Sequence, residues 1–333
     1  MKVAVLHQAV SEGASAADLD VLVQSEAVAA ALRGRGHDVV VLPVSLDLAA
    51  LRASLVAVAP DVAFNLVEAL GGTDRLMVLA PLLLEAMAIP YTGASPCTLF
   101  AVNDKIAAKR AMRAAGIPTP PWWTHHGFEG GDIPPRAIVK AVNEHASIGL
   151  SDDSVIVYET PEQLHAVIHA AERRTGHAHF AEAYVEGREF NLSVLLGERP
   201  MVLPPAEIEF AAFQPGKPRI VGHAAKWDEH SFEYHHTPRS FTFPPSDAAL
   251  LDRLRHLALR ACEVFGVQGY ARVDFRVDAA GEPWILEVNA NPCLAPDAGF
   301  AAALARADIP YDEAIEGIVL AALRRRTKEM NHA

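Results

Sequence analysis

Residues 271–289 read ARVDFRVDAAGEPWILEVN, two runs of alternating apolar and polar residues joined by Ala279-Ala280-Gly281-Glu282. Period-two alternation around so short a connection specifies an antiparallel hairpin. With residues 279–282 as the loop, Asp278 faces Pro283 and the register is set. Val273, Phe275 and Val277 then share one face with Trp284, Leu286 and Val288. The other face carries Arg272, Asp274 and Arg276 with Ile285, Glu287 and Asn289, so that Asp274 lies opposite Glu287 and Arg272 opposite Asn289. Asn291 continues the two-residue spacing of Glu287 and Asn289, and Pro292 then ends the run.

Cross-strand partners have Cβ atoms about 5 Å apart, and like charges at that separation are destabilising. Two facing carboxylates beside an amide oxygen are accommodated if a hard cation sits between them. Mg²⁺ takes such oxygen ligands, commonly one or two carboxylates together with substrate phosphates. The alternative is a solvated sheet face on which Arg272 and Arg276 neutralise the acids.

Upstream, Lys2–Leu6, Asp38–Leu42 and Asp61–Leu66 are apolar strand candidates separated by helical segments, which indicates a parallel α/β sheet. Tyr91-Thr92-Gly93 closes this region. A basic helix over Asn103–Ala115 is stopped by Gly116-Ile117-Pro118. Ala137–Lys140 and Ser154–Val157 read as strands around a polar loop, Asn143–Gly149. A helix over Pro161–Arg173 and a strand over Phe180–Tyr184 follow, and Phe190–Leu196 begins a more antiparallel region. A chain of 333 residues exceeds one ordinary core. Three domains are expected, over residues 1–93, 94–184 and 185–333.

Lys and Arg number 29 against 41 Asp and Glu, a net charge of −12. Such a field repels phosphates, so neither a nucleic acid nor an anionic membrane is an expected partner, and a phosphate ligand needs local cations or a metal. The three cysteines form no CxxC pair, which points to neither a disulfide framework nor a zinc ribbon. The opening MKVAVLHQAV carries only a short apolar run, and no stretch of about 18 apolar residues exists. A cytoplasmic protein is expected.

With these residues in place, the chain resembles the ATP-grasp ligases, and among them the D-alanine–D-alanine ligase family. The family's GRxD…LEaNtxPG pattern is matched by Ala271-Arg272-Val273-Asp274 and by Leu286-Glu287-Val288-Asn289-Ala290-Asn291-Pro292-Cys293. Further matches follow in the family's order. They are Tyr91-Thr-Gly93, Asp104-Lys105, Val139-Lys140, Ser147-Ile-Gly149, Glu182-Ala-Tyr-Val185, Gly187-Arg-Glu189-Phe190 and Ala225-Lys226. The resemblance implies a three-domain ATP-grasp fold: an N-terminal parallel α/β domain, a small central domain and a C-terminal antiparallel-sheet domain. It implies a homodimer and a two-step ligase acting on a small-molecule carboxylate and an amine. ATP converts the carboxylate to an acyl phosphate, and the amine displaces phosphate to form an amide.

By the same resemblance Lys105, Lys140 and Lys226 hold ATP phosphates. Glu182 accepts from the adenine amino group, Val185 offers backbone groups to the ring, and Glu189 binds the ribose hydroxyls. Asp274, Glu287 and Asn289 hold Mg²⁺, or Mn²⁺ in its place, and Glu287 thereby also contacts the nucleotide. Arg272 stabilises the developing oxyanion, and Ser147 lies in the loop Asn143–Gly149 that covers the phosphates. Asp20 supplies the acid of the first-substrate site, and Cys293, standing where the family has the oxyanion-hole glycine, offers its backbone N–H.

The substrate half departs from the family pattern. A serine position falls on Ala146, and a tyrosine position directly after Lys226 falls on Trp227. A second serine, which in the family binds the carboxylate of the second D-alanine, aligns with Ala298 beside Asp297. The family's histidine-bearing loop becomes Asn65–Gly72. A carboxylate–amine ligase with another substrate pair is therefore expected. A true D-alanine–D-alanine ligase or a non-catalytic ATP-binding module are the alternatives. A zinc hydrolase is prompted by His165 and His169, four apart on a helix, and by His230, His235 and His236 beside Asp228, Glu229 and Glu233, but no HExxH motif occurs.

Overall fold

The computed structural model describes residues 1–332 except 12, 15, 132, 133 and 145–148, without the side chains of 16–18 and 328–332. The N-terminal region alternates β1 (Lys2–Gln8), α1 (Ala16–Gly34), β2 (Asp38–Val44), α2 (Leu48–Val58), β3 (Val62–Asn65) and α3 (Leu79–Ala86). Its sheet runs β2-β1-β3 with every pair parallel, Val3 lying beside both Val39 and Val62. Val3, Ala4, Val5 and Leu6 have no solvent exposure, the continuous apolar run expected of a strand covered on both faces.

The basic helix expected over Asn103–Ala115 is present as Lys105–Ala114, with a separate helix directly before it. α4 (Pro96–Asn103) and α5 (Lys105–Ala114) meet at Asp104, whose extended backbone interrupts the helix while its carboxylate accepts from the N–H groups of Ile106 and Ala107. An N-cap side chain in mid-sequence starts a new helix instead of continuing the old one. The break aims Lys105 and Lys109, one turn apart on α5, into the interior, where both are buried.

The second sheet is antiparallel in the order β5-β4-β8-β6-β7. It comprises β4 (Trp122–Thr124), β5 (Gly127–Glu129), β6 (Arg136–Ala141), β7 (Val155–Val157) and β8 (His179–Ala183), backed by α6 (Pro161–Thr175). The third contains β9 (Arg188–Leu196), β10 (Met201–Val202), β11 (Ala206–Ile208), β12 (Arg239–Ser240), β13 (Gly269–Val277) and β14 (Pro283–Asn289). Its order is β12-β11-β9-β13-β14, with β10 hydrogen-bonded to β9. The helices α7 (His223–Trp227), α8 (Phe232–His235), α9 (Ala248–Val264), α10 (Gly299–Arg306) and α11 (Tyr311–His332) complete it. No helix among the described residues is long and apolar enough to cross a membrane.

The last helix returns to the first sheet. Ile315, Ile318 and Val319 of α11 join Val3, Val5 and Phe64 in one core, and Arg325 donates to the carbonyls of Tyr91 and Gly93 at 2.8 and 3.1 Å. Gly187 precedes β9 at φ 152°, where a Cβ would lie 2.0 Å from the Val277 carbonyl oxygen. Gly187→Ala must combine backbone strain with steric overlap. It is expected to destabilise by about 2–5 kcal/mol, read as a lowered Tm.

The hairpin register holds as far as the site needs it and then shifts. Asp274 pairs with Glu287 and Arg272 with Asn289, but a bulge after Asp274 makes Phe275 the partner of Ile285. The extra residue reverses the facing beyond that point. Ile285, expected on the polar face, is fully buried in the core with Phe275, while Leu286, expected in the core, lines the cleft. Trp284 is also released from the core face, and its indole N–H donates to Asp278 at 3.0 Å.

Candidate active site

A cavity of about 1440 Å³ lies between the second and third sheets, with Asp20 and Val21 of α1 and Glu68 after β3 also lining it. A pocket for one drug-sized ligand spans roughly 300–1,000 Å³, so this one has room for several small molecules at once. Asp20, Lys105, Lys140, Glu182, Val185, Glu189, Lys226, Arg272, Asp274, Glu287, Asn289 and Cys293 all line it. Ser147 and Ala146 lie outside the described residues.

β13 and β14 supply the oxygen cluster. Arg272 grips Asp274 with two hydrogen bonds, Nε to Oδ1 at 2.8 Å and Nη2 to Oδ2 at 2.9 Å, and Asn191 on β9 donates to Oδ1 at 2.8 Å. Burial would lower the Arg272 pKa, but the Asp274 and Glu287 carboxylates outweigh it and raise it. Lys105 Nζ stands 3.9 Å from Glu287 and donates to the Glu144 carbonyl. A carboxylate offers about four acceptor positions, so Asp274 retains capacity for a cation beyond its present partners. Two carboxylates facing each other across a strand pair, with the Asn289 amide beside them, are the hard-oxygen donor set that suits a divalent ion. Asn291, in contrast, turns away. It accepts from the Tyr270 hydroxyl at 2.8 Å and donates to the Val67 carbonyl at 3.1 Å, tying this strand end to the N-terminal region.

The lysines stand where burial costs them. Lys105 and Lys226 are both lowered by desolvation; nearby cations lower them further, and carboxylates that include Glu287 oppose it. An anionic ligand would reverse that penalty. Lys140 pairs with Glu182, whose other oxygen lies 2.8 Å from Lys109 Nζ. Burial raises the Glu182 carboxyl, yet the two lysines overcome it and hold it below its ordinary value. Lys109 also donates to Thr119 and to the Pro120 carbonyl. Glu189 accepts from Arg276 at 3.2 Å. Burial and Asp274 raise its carboxyl against the pull of Arg276. Arg276 further donates to the carbonyls of Val185 and Arg219 at 3.0 and 2.7 Å.

Lys109, Asn191 and Arg276 were not singled out as site residues from sequence. Lys109 does stand one turn after Lys105, on the same helix face, and Arg276 follows Asp274 on the same strand face. Glu68 was seen only as part of a loop that departs from the family pattern. It accepts from Gln24 at 3.0 Å, and Gln24 in turn accepts from the Leu294 N–H at 2.8 Å. Burial pushes the Glu68 carboxyl up to about 7, with Gln24 opposing and Asp20 and Asp74 adding to the rise. The Cys293 thiol donates to Asp20 at 3.2 Å, and burial raises both groups. Trp227, Asp297 and Ala298 line the same end of the cavity, with Arg239 donating to the Asp297 carbonyl at 2.8 Å.

Of the histidines behind the zinc-hydrolase alternative, His165 and His169 lie together on α6, outside the cleft lining. Among the described residues His230, His235 and His236 form no metal-sized group. His236 stacks on Phe232, and Glu233 pairs with Lys217 at 2.6 Å.

Residues 133–320 match the family model described as D-ala D-ala ligase C-terminus. The D-alanine–D-alanine ligase of Moorella thermoacetica is 32% identical over 325 residues, covering 91% of this chain and 95% of its own. That of Methylococcus capsulatus is 31% identical, covering 92% and 93%. Among solved structures, the D-alanine–D-alanine ligase from Bacillus anthracis complexed with ATP superposes with a TM-score of 0.70 at 21% identity over 99% of both chains, so the fold is shared. The chain belongs to the D-alanine–D-alanine ligase family: it has the ATP-grasp fold and is an ATP-dependent ligase that forms a C–N bond.

Proposed function

We propose that the chain activates a small carboxylate as an acyl phosphate and joins it to an amine other than D-alanine. The observation that carries this is Asp297, which lines the cleft beside Ala298, where the family pattern binds the second substrate's carboxylate, and adds its charge to that of Asp20, which in turn acts on Glu68. Such acids repel a free carboxylate and favour an amino group or a second cationic centre. The readings of the resemblance stand with it: Lys105, Lys140 and Lys226 hold phosphates, and Glu182, Val185 and Glu189 hold the nucleoside.

A substrate carboxylate oxygen attacks the terminal phosphoryl group, and ADP departs with the bridging oxygen. Arg272, held flat by Asp274, faces the charge that develops when the amine attacks the acyl carbon and phosphate leaves. Asp274, Glu287 and Asn289 would hold Mg²⁺, which when bound neutralises phosphate charge. Ser147 and the backbone N–H of Cys293 belong to the same reading, as covering and oxyanion-binding groups.

Glu68 provides the place for the amine's proton. Its carboxyl, raised to about 7 by burial, faces Gln24, Asp20, Asp74 and Arg272. Below pH 7 it is protonated and can neither attract an ammonium group nor take its proton; above 7 it does both. Turnover is therefore expected to rise with pH through about 7 in the native enzyme. In Glu68→Gln that limb should vanish and the amine KM should rise about tenfold, the loss of one hydrogen bond to a charged group.

The deciding experiment is phosphate release with ATP and Mg²⁺ against D- and L-amino acids paired with amines, diamino acids and dipeptides. Stimulation by a carboxylate–amine pair, with a product mass equal to the sum less water, supports the reading. Turnover with D-alanine alone as both partners, at undiminished rate, overturns the substrate assignment. Sedimentation of the same preparation tests the homodimer that the resemblance implies.

A further inference from the structure

On the central domain, on the face of α6 turned away from the cleft, three imidazoles converge that the ligase reaction does not use. His165 and His169 project from the same side of α6, and His125 reaches them from the turn between β4 and β5. One ring nitrogen from each lies within 4.8 Å of the other two. The rings of His125 and His169 stack with centroids 4.7 Å apart, and those of His165 and His169 meet edge to face at 4.3 Å.

A single carboxylate organises the group. Glu172, three residues after His169 on α6, places Oε1 3.1 Å from His125 Nε2 and Oε2 3.1 Å from His169 Nδ1. It is itself fixed by the His179 backbone N–H at 3.2 Å. An imidazole that donates one N–H to a carboxylate presents a lone pair on its other nitrogen, and this carboxylate–histidine arrangement is how metal-binding histidines are oriented. Here the carboxylate takes Nε2 of His125 and Nδ1 of His169, which leaves Nδ1 and Nε2 respectively for a ligand.

We propose that His125, His165 and His169 bind one divalent transition-metal ion of the zinc class, with Glu172 as the positioning carboxylate and water in the fourth position. Neutral imidazoles select zinc, cobalt, nickel or copper over Mg²⁺, so this site and the oxygen cluster of the cleft take different ions. Zn–N bonds of about 2.0–2.1 Å in a tetrahedron put the nitrogens about 3.3 Å apart, so nitrogens that lie within 4.8 Å of one another must close by at most about 1.5 Å. The His125 and His169 side chains are 38% and 43% exposed, which leaves them room to do so. The ion would clamp the β4–β5 hairpin to α6, whose opposite face, at Ala166, Ala170 and Arg174, lines the cleft.

The test uses the full chain carrying no histidine tag, stripped with chelator and titrated with Co²⁺ and Zn²⁺. One equivalent of Co²⁺ should bind with the visible absorption of a tetrahedral site, and Zn²⁺ should displace it and raise Tm. His165→Ala/His169→Ala should abolish that equivalent, and Glu172→Gln should weaken it by about 10–100-fold. His256→Ala, elsewhere on the surface, should leave it intact. Binding that is unchanged in His165→Ala/His169→Ala, or absent from the unmodified protein, overturns the proposal. All of these readouts are independent of ligase turnover, so they stand apart from the substrate assignment.

Discussion

Glu287→Gln is expected to lower kcat by about 10²–10³-fold, the several kcal/mol that charge neutralisation contributes to phosphoryl transfer at 1.36 kcal/mol per decade. Glu287 is the cleaner of the two acids to change. Asp274 is already held by Arg272 and Asn191, so Asp274→Asn disturbs an ion pair along with any metal site. Glu287 also stands 3.9 Å from Lys105, and loss of that contact is a rival cause. The two causes separate on the concentration of Mg²⁺ that gives half-maximal rate. It should rise in Glu287→Gln and stay unchanged in Lys105→Met, which should weaken ATP binding. Full activity in Glu287→Gln with an unshifted Mg²⁺ requirement would sink the metal assignment.

Lys109→Met is the largest expected loss of stability. Lys109 is 1% exposed and shares the Glu182 carboxylate, which is equally buried, with Lys140. Its removal strips the buried Glu182 of one of its two cations and the Thr119 hydroxyl and Pro120 carbonyl of their donor, and breaking a buried ion pair costs about 3–5 kcal/mol. At about 2–4 °C per kcal/mol for a domain-sized unit, Tm should fall by roughly 6–20 °C. Lys109→Met/Glu182→Leu removes the buried carboxylate as well and leaves Lys140, which is 17% exposed, to reach solvent, so it should recover part of the loss. The double variant still loses ATP affinity if Glu182 binds the nucleoside. A double variant that melts lower than the sum of the two single losses would show that the pair contributes through packing and not through charge.

Elements whose cause is local are legible in the amino-acid order alone. Period-two alternation set β13 and β14 and placed Asp274 across from Glu287, because a residue's face on a strand follows from counting alone. Alternating apolar strands and helices likewise announced the parallel N-terminal sheet, and the order of short motifs led to the family.

Features that depend on contacts between distant segments emerge only once the chain is folded. The bulge that sends Ile285 into the core and Leu286 to the cleft conserves the alternating pattern on both sides, so counting cannot find it. Asn291 continues the spacing of Glu287 and Asn289 in sequence, yet it serves a structural contact because Tyr270 and Val67 stand within hydrogen-bonding reach. The raised Glu68 carboxyl needs burial beside Asp20 and Gln24, groups more than forty residues away. Most plainly, His165 and His169 announce a helix face and nothing more. It is the β4–β5 turn, brought over by sheet pairing, that adds His125 and makes three ligands out of a surface pair.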